Sequence, residues 1–345
     1  MQAAITKKST LKASNRPTST CRQRGVAIVT ALLLTALAVT IVASVFWQQQ
    51  VQVRAVENQR LQSQTQWVQR AALDWTRIIL REDARTTAVD QLGEVWATPL
   101  PETPLDDYIE KDGSDSGNSG ASGGTLSGKV IDAQSYYNLN NLAVGGVVDP
   151  QEIAVFKRLL GFLSINPNLA EATAKAIGAT QAPTTAPSPP ANTPDSTPAS
   201  TPSAPSAGST EQPALFIHTE DLITIPGYTV AVIDKLKNYV VILPRPTPVN
   251  VNTAGVEVLA AKANLSMEKA TAMIASRSHA YFITTNDFQS RAQVDVPSGK
   301  FDIAVSTSFF MVFNKVQWDR ASLNMQALIY RKSSGNTTVM WLREY

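Results

Sequence analysis

Apolar residues fall into three regimes along this chain, and each predicts a different kind of element. Val26–Trp47 is a run of twenty-two residues without a charge. At about 1.5 Å per helical residue it spans a ~30 Å hydrocarbon core. From Gln48 to about Arg85 there is neither Gly nor Pro, and Trp67, Val68, Ala71, Ala72, Trp75, Ile78 and Ile79 recur at helical spacing. The pattern predicts one continuous helix from Val26 to about Arg85, with its first third in lipid and its apolar stripe in the last third expected on a globular head.

Beyond the helix the period changes. Residues 129–142 (KVIDAQSYYNLNNL) predict a strand running into an Asn-rich turn. Asp149-Pro150 reads as an N-cap with Pro at the first helical position, and Ile153, Phe156, Leu160 and Leu163 then share one face. Asn166-Pro167 repeats the device ahead of a helix over 169–177, with Gly178 placed to end it. Further helices are expected over 229–239, 254–262 and 267–277, then strands over 308–317, 321–331 and 337–344, with a hairpin turn at 333–336. Helices set apart from strands predict an α+β fold.

Two stretches are not expected to join a core. Residues 112–128 hold six glycines and predict a flexible loop. Residues 181–213 carry nine of the twenty prolines, six serines and six threonines, with no large apolar side chain. Such a segment buries too little surface to offset its chain entropy and is expected to be disordered.

Charge changes the picture at the N-terminus. Lys7, Lys8, Lys12, Arg16, Arg22 and Arg24 precede the apolar run without an acidic residue. That bias keeps the N-terminus in the cytoplasm and sends the chain beyond the apolar run outward. A secretory signal has a shorter apolar run with its cleavage site after it. Here Gly25 stands before the run. Two readings fit, a type IV prepilin signal cut after Gly25 and an uncleaved signal anchor. Without the leader, the 30 Lys and Arg lose six and leave 24 against 28 Asp and Glu. That acidic balance does not suit a general nucleic-acid binder. The one cysteine, Cys21, lies in the leader, so the chain after Gly25 forms no disulfide.

Candidate chemistry is sparse. GxSxG, HExxH and a Gly-rich phosphate loop are missing, and His218 and His279 read as surface or packing residues. An enzyme is not expected. The carboxylates Asp106, Asp107, Glu110, Asp112 and Asp115 suit calcium or a solvated acidic loop, and their spacing is not that of an EF-hand. Pro248–Ala254 (PVNVNTA) opens a helix pair resembling a helix-hairpin-helix unit, but its connection, Ala263-Asn264-Leu265-Ser266, lacks the glycines that offer amides to a phosphate. With five basic and four acidic residues from Val249 to Lys300, a structural module is the better reading. The tryptophans are assigned to the core, Trp67 and Trp75 through the helical stripe, Trp318 and Trp341 through the β-rich tail.

Several segments together resemble the general secretion pathway protein K family, the K-type minor pseudopilins of type II secretion. They are Arg24-Gly25-Val26-Ala27-Ile28, Asp74-Trp75-Thr76-Arg77-Ile78-Ile79-Leu80-Arg81, Asp132-Ala133-Gln134, Asn138-Leu139-Asn140-Asn141-Leu142 and Val249-Asn250-Val251-Asn252-Thr253-Ala254. The resemblance covers nearly all of the chain after the leader. It implies a leader at 1–25, a transmembrane part at 26–47 and a periplasmic part of the helix at 48–85. It further implies a pseudopilin head from 86–142 and 297–345, and an inserted helical domain at 143–296, interrupted by 181–213. Also implied are single-pass placement in the bacterial inner membrane, cleavage after Gly25 by prepilin peptidase and N-methylation of Val26. The implied partners are I- and J-type minor pseudopilins, with which it would initiate and cap the periplasmic pseudopilus, and beyond them the major pseudopilin, the secretin or exoproteins. Some relatives bind calcium in the head, for which Asp106, Asp107, Asp112 and Asp115 are the candidates here.

One position reads directly. Most pilin-like subunits carry Glu at the fifth residue after cleavage, where it neutralises a neighbour's terminal amine in the apolar filament core. Thr30 stands there in this chain. A hydroxyl leaves that ammonium unpaired at low dielectric, so Thr30 predicts that no subunit docks above this one. A minor pilin of a type IV pilus is the alternative, without reason for an inserted helical domain. A DNA-uptake receptor using the helix pair is a further one.

Overall fold

The structure, a computed structural model, describes residues 24–105, 124–181, 215–293, 303–318 and 321–345. It is α+β, in two compact units, Met1–Gln62 and Ser63–Tyr345. Helix α1, Arg24–Thr86, runs 63 residues and contributes to both. In the first unit its apolar stretch is exposed on every side, and among the described residues it is the one helix long and apolar enough to cross a membrane. A helix apolar all round belongs in lipid or in a large core. Protein covers none of its most apolar part.

The second unit is built on an antiparallel sheet of five strands: β1 Leu100–Pro104, β2 Gly124–Asp132, β3 Phe309–Trp318, β4 Ala321–Arg331 and β5 Thr337–Glu344, side by side in that order. Strict alternation gives the sheet two apolar faces. Phe310, Val312, Met325, Ala327 and Ile329 point to one, where they meet Leu73 and Leu80 of α1 and the indole of Trp96. Phe309, Met311, Leu328 and Tyr330 point to the other, against Val241 and Leu243. The tight β4–β5 turn depends on Gly335, whose φ of 83° is left-handed. One edge is closed to further pairing because β1 carries Pro101 and Pro104, which have no N–H.

β2 and β3 are hydrogen-bonded neighbours, yet residues 133–308 lie between them in the chain. Six helices occupy this connection among the described residues: α2 Pro150–Phe162, α3 Leu169–Thr180, α4 Val230–Leu236, α5 Val256–Ala263, α6 Met267–His279 and α7 Thr285–Ala292. Their starts follow side-chain chemistry. Asp149 accepts from Gln151 N at 2.9 Å with Pro150 behind it, and Thr229, Ser266 and Thr284 cap α4, α6 and α7. Gly178 does not end α3, which continues to Thr180. It is a packing position, since a Cβ there would lie 3.3 Å from the Gly146 carbonyl oxygen. Inside the block, Lys262 of α5 and Glu152 of α2 form a buried ion pair, and the Tyr137 hydroxyl donates to Glu152 at 2.9 Å.

Candidate assembly face

The head end of α1 turns a different side to the sheet from the one its apolar stripe predicts. Thr65, Gln69, Leu73, Thr76 and Leu80 are buried. Trp67 and Trp75 are each 68% exposed and Ile78 is 51% exposed, with Ala71 open between them. Assigning Trp67 and Trp75 to the core is therefore corrected: they lie on the far side of the helix from the sheet. Both stripes run at helical spacing, and the more polar one is buried against the sheet with most of its polar atoms partnered, the Gln69 side-chain oxygen being the exception. Gln69 donates to the Leu323 carbonyl at 2.9 Å, and the Thr76 hydroxyl to the Ala72 carbonyl at 2.9 Å. Trp96 is the fully buried tryptophan among those described, its indole N–H donating to Glu94 at 2.7 Å and its ring edge-on to Phe310. Trp318 and Trp341 are half-buried and Trp47 is exposed. Two large aromatics and an isoleucine aligned on a solvent-facing helix side form an apolar patch of the kind that marks protein interfaces.

Behind this face, polar side chains fasten the helical block to the sheet. The Asn-rich segments tie distant parts of the 133–308 connection to one another through backbone clamps. Asn141 donates to the Thr247 carbonyl at 2.8 Å and accepts from the Thr247 N–H at 2.9 Å. Asn252 makes the same double bond with Phe282, at 2.9 and 2.8 Å. Asn138 donates to the Arg245 carbonyl and Asn140 to that of Leu243. At the end of β2, Asp132 accepts from Asn250 at 2.8 Å and Thr253 at 2.6 Å. The polar residues of the Val249–Ala254 motif are thus used internally, none facing outward for a phosphate. Arg277 of α6 likewise spends a guanidinium N–H on the Val251 carbonyl at 2.6 Å, and burial lowers its pKa to about 10. His218 rests edge-on against Trp341 at 5.2 Å, and His279 is exposed at the end of α6.

Arg331 joins the same junction. Its guanidinium pairs with Asp90 and, at 2.7 Å, with Asp83 of α1, and donates to the Leu80 and Thr307 carbonyls. Burial raises the Asp83 carboxyl to about 6, opposed by the hydrogen bond from Arg331. Asp83, Asp90 and Glu94 bring carboxylate oxygens within 4.8 Å of one another. As a cation site they fit poorly, because their oxygens are already engaged. Asp90 also accepts from Thr307 N, and Glu94 accepts from Thr87, Gln91 N and Trp96. The calcium candidates Asp106, Asp107, Asp112 and Asp115, with Glu110, lie outside the described residues.

At the other end of α1, Gly25 and Val26 fall in its first turn and Thr30 comes a turn later, exposed. The Thr30 hydroxyl donates within its own helix, to the carbonyls of Val26 and Ala27 at 3.0 Å each.

An apolar N-terminal helix whose far end lies on an antiparallel sheet, with a helical block inserted between two paired strands, defines a membrane-anchored pilin-type subunit. Residues 135–245 and 249–307 match two family models, both described as type II secretion system (T2SS), protein K. The type II secretion system protein K of Pseudomonas aeruginosa (strain PAO1) is 27% identical over 332 residues, covering 92% of each chain. Among solved structures, the GspK-GspI-GspJ complex from the type 2 secretion system of enterotoxigenic Escherichia coli matches with a TM-score of 0.54 at 16% identity, over 84% of this chain and 99% of that one. The chain belongs to the type II secretion system protein K family and is a pseudopilin, a structural component of that system.

Proposed function

We propose that this pseudopilin initiates and caps a periplasmic pseudopilus, held in the bacterial inner membrane by the first part of α1. Its partners in the tip are I- and J-type minor pseudopilins. The observation that carries this reading is the exposed stripe of Trp67, Ala71, Trp75 and Ile78, on a helix whose opposite side is already committed to its own sheet. Helices of two neighbouring subunits bury that stripe. The solved relative that was captured with GspI and GspJ supports the choice of partner. Prepilin peptidase cuts after Gly25 and methylates Val26, and the leader's positive charge fixes the orientation. Thr30 offers no carboxylate to a neighbour's terminal ammonium, so subunits add below this one and not above. The helical block, with its hydrogen bonds turned inward, supplies bulk at the tip. The role is assembly and not catalysis.

The test is to purify the full chain in detergent with the matching I- and J-type subunits and read the mass by size-exclusion chromatography with light scattering. A 1:1:1 complex that Trp75→Glu dissociates supports the reading. A mass equal to the chain alone, with both partners well folded, overturns it. An intact mass still starting at Met1 in cells with active peptidase overturns the processing step.

A further inference from the structure

The carboxyl of Asp132 has a combination of properties that the assembly role does not use. It is 1% exposed. It joins the end of β2 to the segment that opens the helical block's last three helices. One oxygen accepts from Gln134 N at 2.7 Å, and the other from Asn250 Nδ2 at 2.8 Å and Thr253 Oγ1 at 2.6 Å. Its hydrogen-bonding partners among the described residues include no cation. The Arg331 guanidinium, also at the junction, is taken by Asp83 and Asp90. The other charged or titratable groups on the packed elements include Arg277 of α6, which donates to the Val251 carbonyl, Asp90, whose carbonyl shares the Asn250 amide, Tyr136 on the adjoining turn, Lys129 on β2 and Tyr239. A cleft of about 370 Å³, lined by Asp132, Thr253, Trp96, Lys129, Tyr136 and Tyr239, opens beside it and gives water a route in.

We propose that Asp132 is a proton-binding switch that sets how firmly the helical block is held on the sheet. Both protonation states are satisfied by the same side-chain positions. Ionised, the carboxylate accepts all three hydrogen bonds. When a proton from water binds Oδ2, the new O–H donates to Thr253 Oγ1, and the Thr253 proton turns to the Asn250 carbonyl, already 3.4 Å away. Asn250 Nδ2 keeps the Asp90 carbonyl at 3.0 Å. Burial dominates the energetics and raises the carboxyl to about 6, against the lowering effect of the Thr253 and Asn250 hydrogen bonds. The native state therefore prefers the protonated form more than the unfolded chain does. The resulting stability is fully present below the unfolded value of 3.8 and is lost as pH rises through about 6. The joint is tighter in mild acid than at neutral pH.

The experiment compares the wild-type full chain with Asp132→Asn in detergent, by urea unfolding at pH 5 and pH 8. Linkage predicts that the wild-type folding constant falls about tenfold more than that of the variant between these values. Asp83 also titrates near this range but is common to both proteins and cancels. Parallel pH profiles overturn the proposal. Should the variant not fold, hydrogen exchange on the wild type reads the joint directly. Corrected for intrinsic rates, protection of the 249–253 amides about tenfold higher at pH 5 supports the switch, and equal protection overturns it.

Discussion

Replacing Asn141 with Ala would remove one side chain and strand two backbone groups. Asn141 is fully buried, and its amide exchanges two hydrogen bonds with Thr247, itself buried, across 106 residues of chain. Water has no access to replace either. An orphaned buried donor or acceptor costs roughly 1–3 kcal/mol, so the Thr247 N–H and C=O together set a loss of about 2–6 kcal/mol. The lower half of that range is expected, because Ala also removes two polar groups that were desolvated on folding. Asn141→Asp is expected to be worse at pH 8, since it keeps the acceptor for Thr247 N–H but turns an anionic oxygen toward the Thr247 carbonyl. Urea unfolding of the full chain in detergent measures both, as a lower midpoint at unchanged slope. Lys157→Ala is the control. Its pair with Glu171 is exposed to solvent and is expected to contribute little to stability. If Asn141→Ala costs no more than Lys157→Ala, the clamp does not hold the helical block, and the reasoning fails.

Other substitutions separate the two sides of α1 and the junction beneath it. Leu80→Ala empties a fully buried site against the sheet and is expected to lose about 2–5 kcal/mol in the same unfolding assay. Trp75→Ala, on the open side, is expected to change stability by less than about 0.5 kcal/mol while weakening co-purification of the I- and J-type subunits. Arg331→Met leaves Asp90 buried and Asp83 half-buried without their cation and should cost about 3–5 kcal/mol, much of it recovered when both aspartates are changed to Asn. Thr30→Glu is expected to place the protein along the pseudopilus shaft, read by immunogold labelling; labelling that stays at the tip would assign capping to the helical block instead.

The parts of the fold legible in the sequence are those where period alone decides. β4 and β5 run over 321–331 and 337–344 as alternation predicts, because their inward residues are large and the turn between them needs Gly335. α1 was legible in extent for the same reason, but not in orientation. A helical period identifies stripes without saying which of two meets the sheet, and here the tryptophans were left for a partner. β1, with two prolines in five residues, carries no strand signal. α7 has Phe288 and Ala292 as its buried residues, too few to draw a stripe. The junction was illegible for a different reason. Asn138, Asn141, Asn250 and Asp132 find partners more than a hundred residues away, and local spacing carries no record of such pairs. The Asn-rich segments were visible as motifs, while their task, clamping backbone, appears only in three dimensions.

The most direct test of the assembly account places a cysteine at position 75 of the full chain and, separately, at position 73 on the buried side, in membranes that also hold the I- and J-type subunits. A short thiol-reactive photo-crosslinker attached to each would report what lies within reach. The account predicts heterodimeric products with both partner types from position 75 and none from position 73. Equal yields from the two positions, or no product from position 75 while the partners assemble normally, would contradict it.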